Sequence, residues 1–343
     1  MINFLFNVED KLMDLAFKLI PLNILFTFLC SLAYTRIHKF TRKNGVPKGF
    51  GSIASIIFFI SIYTYKSDNY ISLFLPSLIV IVLMTLIYYL DDLFELSPFI
   101  RMVITSITIT LLINMPIGLE FINKFPSFYL IVFCILMISS FVLVNVSNFY
   151  DGSNLNMSSL IFLMGLILMI FNEQNLRAYD IIGSSLLGIS IGFAILNCRP
   201  NCIYIGDSGS FLFAFLFLTL LMFSYVISPE IFFSLFALIA LPVFDVFYVI
   251  CLRIKCSHNL LIRNYLHLYQ RMEICNQNYS YLIPVPLNLF VVLLSRFLLR
   301  NFMNDYLAMY ISIIFITPIN YLLLRFFFVE KEYFFGDGKK HEV

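Results

Sequence analysis

The residues of this chain best suited to chemistry are acids and amides set in otherwise apolar sequence. Asp207 lies where two hydrophobic runs meet, in IYIGDSGSFLF from Ile203 to Phe213. A carboxylate at the edge of an apolar segment is costly to desolvate, so a cation or a polar ligand is its expected partner. The flanking glycines let a ligand approach the backbone and can turn successive N–H groups toward an anion. A structural reading fits as well, with Asp207 or Ser208 capping a helix that runs from Ser210. Asp91 and Asp92 follow the apolar stretch IVLMTLIYYL. Adjacent carboxylates repel unless a cation or a shared proton lies between them. The pair therefore points to a divalent metal or to proton transfer, or else marks a helix end returning to water.

Asn145, Asn148 and Asp151 recur at every third residue in VNVSNFYDGSN. They share one face if their helix continues that far, and Gly152 then ends it. Their oxygens are hard ligands suited to Mg²⁺, which keeps several waters and relies on substrate phosphates. A polar seam between helices would explain the two asparagines equally well, but Asp151 poorly. His267 lies in RNYLHLYQRM among Arg263, Tyr269, Gln270 and Arg271, a set suited to gripping a phosphate or a pyrimidine ring. Pro242 and Asp245 close an apolar run that the proline could kink. Lys48, with Gly49 and Gly51, follows the basic stretch from Arg36 and suits anionic substrates or lipid headgroups.

The elements that must position these groups are membrane helices. Of 343 residues, 61% are hydrophobic and 12% charged, and the mean hydropathy is +0.92. A soluble domain carries about twice that share of charge. The alternating pattern of an outer-membrane barrel is absent, and the runs are long and continuous, so the expected class is all-α and polytopic. Runs of about 20 apolar residues predict eleven helices. They fall near 19–35, 51–66, 71–90, 100–115, 127–146, 157–172, 180–197, 210–227, 230–250, 281–299 and 305–325. Segments on one side of this ladder hold 15 of the 22 Lys and Arg. The positive-inside rule makes that side cytoplasmic, with the N-terminus outside and the C-terminus inside. Every polar cluster named above then falls on the cytoplasmic face, as one site in a single domain over residues 1–343. No cleavable signal peptide is evident, and the seven cysteines show no metal-ligand spacing.

In this order the motifs resemble those of the bacterial polyprenyl-phosphate N-acetylhexosamine-1-phosphate transferases. That group includes the undecaprenyl-phosphate GlcNAc-1-phosphate transferases and the phospho-MurNAc-pentapeptide transferase. The resemblance covers about 47–271. PKGFGS is similar to the family's Pro-x-x-Gly-Gly-Gly stretch, and YYLDDLFELSPFIR to its Asp-Asp motif with a downstream basic residue, here Arg101. NFYDGSN resembles Asn-x-x-Asp-Gly-x-Asp, IYIGDSGSFLF resembles Gly-Asp-x-Gly-Ser, and LPVFD matches Leu-Pro-x-x-Asp. HLYQRM resembles the loop of members that initiate O-antigen and capsule synthesis. Two positions depart from the pattern: Asn154 replaces a usual Asp, and Phe50 a usual Gly.

The resemblance implies a Mg²⁺-dependent enzyme of the bacterial inner membrane, with Mn²⁺ as the other candidate ion. It would transfer a sugar 1-phosphate from a UDP-sugar to undecaprenyl phosphate and release UMP, initiating a cell-surface polysaccharide. Its partners would be those two substrates and the surrounding lipid, with no nucleic acid, and relatives imply a homodimer. On this basis Asp207 holds the metal, with Asp151 or Asp92 assisting. Asp91 takes the proton of the lipid phosphate or holds it poised. Asn148 and Asp151 orient the nucleotide, Asn145 and Lys48 join substrate binding, and His267, Arg271 and Arg101 grip phosphates. An aspartyl-phosphate on Asp91 is the competing route. The rival class is an ion-coupled secondary transporter, which would place its acids near the midplane on broken helices in paired halves.

Overall fold

The computed structural model describes residues 2–41, 46–172, 174–199, 202–256, 266–276 and 279–329, with side chains in the first stretch from 18 to 38. Arg263 of the expected phosphate loop lies outside the described residues. The described chain is helical, with no strand among the described residues. In chain order the helices are α1 (Ile2–Thr41), α2 (Phe50–Tyr63), α3 (Asn69–Phe94), α4 (Pro98–Ile113), α5 (Pro116–Ile122), α6 (Tyr129–Tyr150) and α7 (Asn156–Ile170). There follow α8 (Arg177–Asn197), α9 (Gly206–Ile227), α10 (Pro229–Lys255), α11 (Leu268–Asn276), α12 (Pro284–Leu299), α13 (Asp305–Ile311) and α14 (Thr317–Phe328). Helix is the one open-ended element that satisfies its own backbone polar groups in lipid, and continuous apolar runs take it for that reason.

Each of the eleven predicted stretches is helical. Among the described residues, eight segments are long and apolar enough to cross a bilayer, so this is a multi-pass membrane protein. A ninth crossing would be the α4–α5 pair, bent by 79°. Helices α2 and α7, at 14 and 15 residues, reach only about 21–23 Å against a hydrocarbon core of about 30 Å.

The chain divides into two compact units, the first ending at Leu235 and the second beginning at Phe236. In the first, α8 and α9 form the centre: Phe211, Phe213, Phe215 and Phe217 are fully buried, and Tyr88 of α3 stacks on Phe211 with centroids 4.4 Å apart. Helices α3 and α4 begin on their own capping residues, Asp68 and Ser97, whose side chains accept from first-turn N–H groups. The heads of α2 and α9 have no such residue. In the second unit α12 and α13 are joined by an ion pair, Arg296 Nη2 to Asp305 Oδ2 at 2.9 Å. The chain continues from α13 through a π turn, Ser312–Ile316, into α14.

Candidate active site

Helix α9 starts at Gly206, four residues earlier than the sequence suggests, and its N-cap residue Ile205 makes no side-chain cap. The expectation that Asp207 or Ser208 caps this helix is therefore corrected: both lie inside its first turn. The caps come from other helices. Asp92, in the last turn of α3, accepts from Asp207 N at 2.8 Å through Oδ1 and from Ser208 N at 3.0 Å through Oδ2. Asp151, the C-cap of α6, accepts from Gly206 N at 2.9 Å through Oδ2 and from Ile205 N at 3.4 Å through Oδ1. Four first-turn donors with no helical partner of their own are thus satisfied by two carboxylates. Burial holds the Asp151 carboxyl well above the ordinary carboxylate range, and the charges of Asp207 and Asp92 push the same way, while the two N–H groups oppose them.

Glycine makes this approach feasible. Gly206 has φ +82°, and a Cβ there would lie 2.5 Å from Asp92 Oδ1 and 2.3 Å from Gly49 N. The PKGFGS stretch docks against the same place: Tyr204 N donates to Pro47 O and Gly51 N to Ile205 O, each at 2.9 Å. Phe50, where the family has glycine, is fully buried and stacks on Phe193 at 5.2 Å with the rings 8° from parallel. Its ring therefore points into the core. Lys48 is exposed beside this contact, and its carbonyl accepts from Tyr34 Oη.

Asp91 is 1% exposed; it accepts from Leu96 N at 2.7 Å and lies 2.8 Å from Arg101 Nε, which also donates to Leu96 O. Arg101 is thus engaged with the Asp-Asp pair in this conformation. Among the described residues the Asp207 carboxylate makes no hydrogen bond or ion pair, and it is partly exposed. Asn148 Oδ1 is buried without a hydrogen-bond partner. Asn145 is exposed and donates to Phe141 O of its own helix. Asp91, Asp92, Asp151 and Asp207 therefore converge at one end of the first unit, at the ends of three helices.

One participant escaped the sequence reading. Asn197, the last residue of α8, accepts from Leu155 N at 2.6 Å and donates to Ile203 O at 2.7 Å. It ties the turn after Asp151, where Leu155 has φ +63°, to the extended approach to α9. The turn also holds Asn154, which is half-buried. An amide closing an apolar helix, as Asn145 and Asn148 do, was the available signal.

His267 and Arg271 lie in the second unit, where both are buried. His267 Nδ1 is 2.9 Å from Asp245 Oδ2; Asp245 Oδ1 accepts from Leu268 N at 3.0 Å and from Tyr321 Oη at 2.7 Å. Arg325 donates to Tyr321 Oη at 3.0 Å and to Leu266 O at 3.1 Å. Tyr321 and Arg325 were also missed, although a buried arginine in an apolar helix is the usual mark of a function.

Among the described residues no three His, Cys, Asp or Glu side chains are grouped to hold a metal by themselves. That donor set suits Mg²⁺, which takes one or two protein carboxylates and completes its shell with water and phosphate. Asp207 offers one uncommitted carboxylate, and Asp92 and Asp151 retain lone pairs beyond their backbone bonds.

The fold and site define a polytopic helical membrane protein with a cluster of carboxylates at one end of its bundle. The family model described as glycosyl transferase family 4 matches residues 74–225, which contain Asp91, Asp92, Asn148, Asp151 and Asp207. Over that segment the chain is similar to this family, which includes polyprenyl-phosphate sugar-phosphate transferases of the undecaprenyl-phosphate GlcNAc-1-phosphate type. Asp245, His267 and Arg271 lie beyond the matched segment. No curated protein matches the chain.

Proposed function

We propose that the chain transfers an N-acetylhexosamine 1-phosphate from a UDP-sugar to undecaprenyl phosphate, releasing UMP at the cytoplasmic face of a bacterial inner membrane. The product would open the assembly of a cell-surface polysaccharide. The observation that carries this is the convergence of four carboxylates from three helices inside the family-matched segment.

The reaction is a displacement at phosphorus. A lipid phosphate oxygen forms a bond to the β-phosphorus of the UDP-sugar as the bond from that phosphorus to the bridging oxygen breaks, and UMP leaves with the electron pair. Positioning and charge neutralisation do most of the work in such a step. Asp207 would hold Mg²⁺, with Asp151 or Asp92 assisting, and the ion, when bound, would supply charge neutralisation on the diphosphate. Asp91, with Arg101 beside it, takes or poises the proton of the lipid phosphate. Asn148 offers its open acceptor to the nucleotide. In the second unit Asp245 orients His267 through Nδ1, and His267 and Arg271 serve a phosphate oxygen.

The test uses the purified full chain in lipid nanodiscs, undecaprenyl phosphate and a panel of UDP-N-acetylhexosamines, with UMP release and product mass as readouts. One UDP-sugar is expected to give the lipid-linked sugar diphosphate, and Asp207→Asn to lower turnover by more than about 100-fold, beyond the loss of a mere supporting partner. Transfer from no UDP-sugar, or full turnover by Asp207→Asn, would overturn the assignment. A burst of UMP without lipid acceptor would replace the single displacement by the aspartyl-phosphate route.

A further inference from the structure

We infer that Asp92 and Asp151 are positioning residues, which set Asp207 by occupying the head of α9 rather than by handling protons or phosphate themselves. This rests on the proposed transferase reading for Asp207, and deepens it. A free helix head is a ready cradle for a phosphate, because unpaired N–H groups and the helix dipole both favour an anion. Here that cradle is full. The N–H groups of Ile205, Gly206, Asp207 and Ser208 all point at carboxylate oxygens of α3 and α6. The substrate diphosphate is therefore left to the cation at Asp207 and to side-chain cations.

The geometry also explains why two acids are needed. Asp92 holds the amide of Asp207 itself, and Asp151 the amide of the residue before it. Between them the backbone on both sides of Asp207 is pinned to two separate helices, while its own side chain stays uncommitted. A side-chain amide in either place cannot do this. Asparagine at position 92 or at position 151 would offer one acceptor and one donor, and the donor would face a second N–H. Asp91 is the internal contrast: it carries the same charge in the same cluster, yet its bonds go to Leu96 N and Arg101.

The experiment is amide hydrogen exchange on the metal-free full chain, unmodified and with Asp92→Asn, Asp151→Asn or Asp91→Asn, followed by Mn²⁺ titration by electron paramagnetic resonance. In Asp92→Asn the amides of Asp207 and Ser208 are expected to exchange at least about tenfold faster, the factor that a charge-assisted bond contributes to an opening equilibrium. Asp151→Asn is expected to do the same at Ile205 and Gly206, and both variants to weaken Mn²⁺ binding about 10- to 100-fold. Asp91→Asn is expected to change neither exchange at 205–208 nor Mn²⁺ affinity beyond about twofold. Protection of Leu212 to Leu220 in the middle of α9 reports that each variant is folded; where one is not, the other tests its own pair of amides. Unchanged exchange at 205–208 in a folded variant overturns the inference, whatever its turnover. Correct exchange behaviour in a chain that transfers no sugar phosphate would instead overturn the transferase reading and leave the caps standing.

Discussion

Gly51→Ala tests the contact on which the carboxylate cluster is built. A Cβ at position 51 would lie 2.0 Å from Gly209 Cα, 2.1 Å from Gly209 N and 2.8 Å from Ser208 C. Carbon atoms in ordinary contact are about 3.5–4.0 Å apart, so the heads of α2 and α9 would have to separate by roughly 1.5 Å along that line. All three obstructing atoms are backbone, and no change of side-chain rotamer relieves them. The two segments are also tied by the bonds from Gly51 N to Ile205 O and from Tyr204 N to Pro47 O. Alanine in place of glycine favours a helix by about 0.5–1 kcal/mol, whereas overpacking costs about 1–3 kcal/mol and more when backbone must move. The clash wins, with a net loss of about 2 kcal/mol. Separation on this scale would also break the Asp92 bonds to Asp207 N and Ser208 N, and a misplacement of about 1 Å can cost roughly 100-fold in rate. Thermal unfolding of the detergent-solubilised chain, with a dye reporting its free cysteines, gives the stability; UMP release gives the rate. Wild-type unfolding together with wild-type turnover would show that the two helix heads do not meet backbone to backbone.

Two further expectations concern the buried ion networks. Arg101→Met leaves Asp91 buried with only Leu96 N as partner; breaking a buried pair costs about 3–5 kcal/mol, discounted to about 1–3 kcal/mol because the Arg101 side chain is 35% exposed. Asp91→Asn added to Arg101→Met should recover most of that stability without recovering turnover, and a double-mutant cycle that shows no coupling would deny the pair. In the second unit, Tyr321→Phe removes two charge-assisted bonds, the one it donates to Asp245 and the one it accepts from Arg325, and should cost about 3 kcal/mol. Asp245→Asn also disturbs the bonds to His267 and Leu268 and should cost more; equal losses in thermal unfolding would mean that Asp245 is not the hub of that network.

Much of the fold was legible because the bilayer leaves few choices. A long apolar run must be helix, and each predicted stretch from 19–35 to 305–325 is one. Length was less legible: α2 and α7, predicted over 51–66 and 157–172, each begin one residue earlier and end at Tyr63 and Ile170, at 14 and 15 residues. At the site, residue types and spacing identified the carboxylates but not what each one faces. Asp92 and Asp207 look alike in sequence, as acids beside apolar runs. One accepts two backbone bonds from a helix head 115 residues away, and the other is left uncommitted. A hydrogen bond to backbone leaves no trace in the identity of its donor, so nothing at Asp207 or Ser208 announces a cap arriving from α3. The same applies to Asn197, whose partners are a backbone N–H and a backbone C=O. Phe50 departs from its motif in sequence, and only the structure shows that its volume is spent on Phe193.

These features follow from one constraint on polar groups at a membrane boundary. A helix head near lipid must satisfy its first N–H groups locally, and α3 and α4 do so with their own Asp68 and Ser97. Helix α9 has an apolar N-cap residue, Ile205, and so lacks a local side-chain cap for those groups. Borrowing the cap from α3 and α6 supplies it, and ties three helices together at the point where the first turn of α9 would otherwise fray. It also places two carboxylates at the positive end of the α9 dipole, which offsets part of the repulsion between them and the third carboxylate, Asp207. Clustered acids, which in isolation read as a metal cage, here divide into two that hold a backbone, one paired with Arg101 and one left uncommitted.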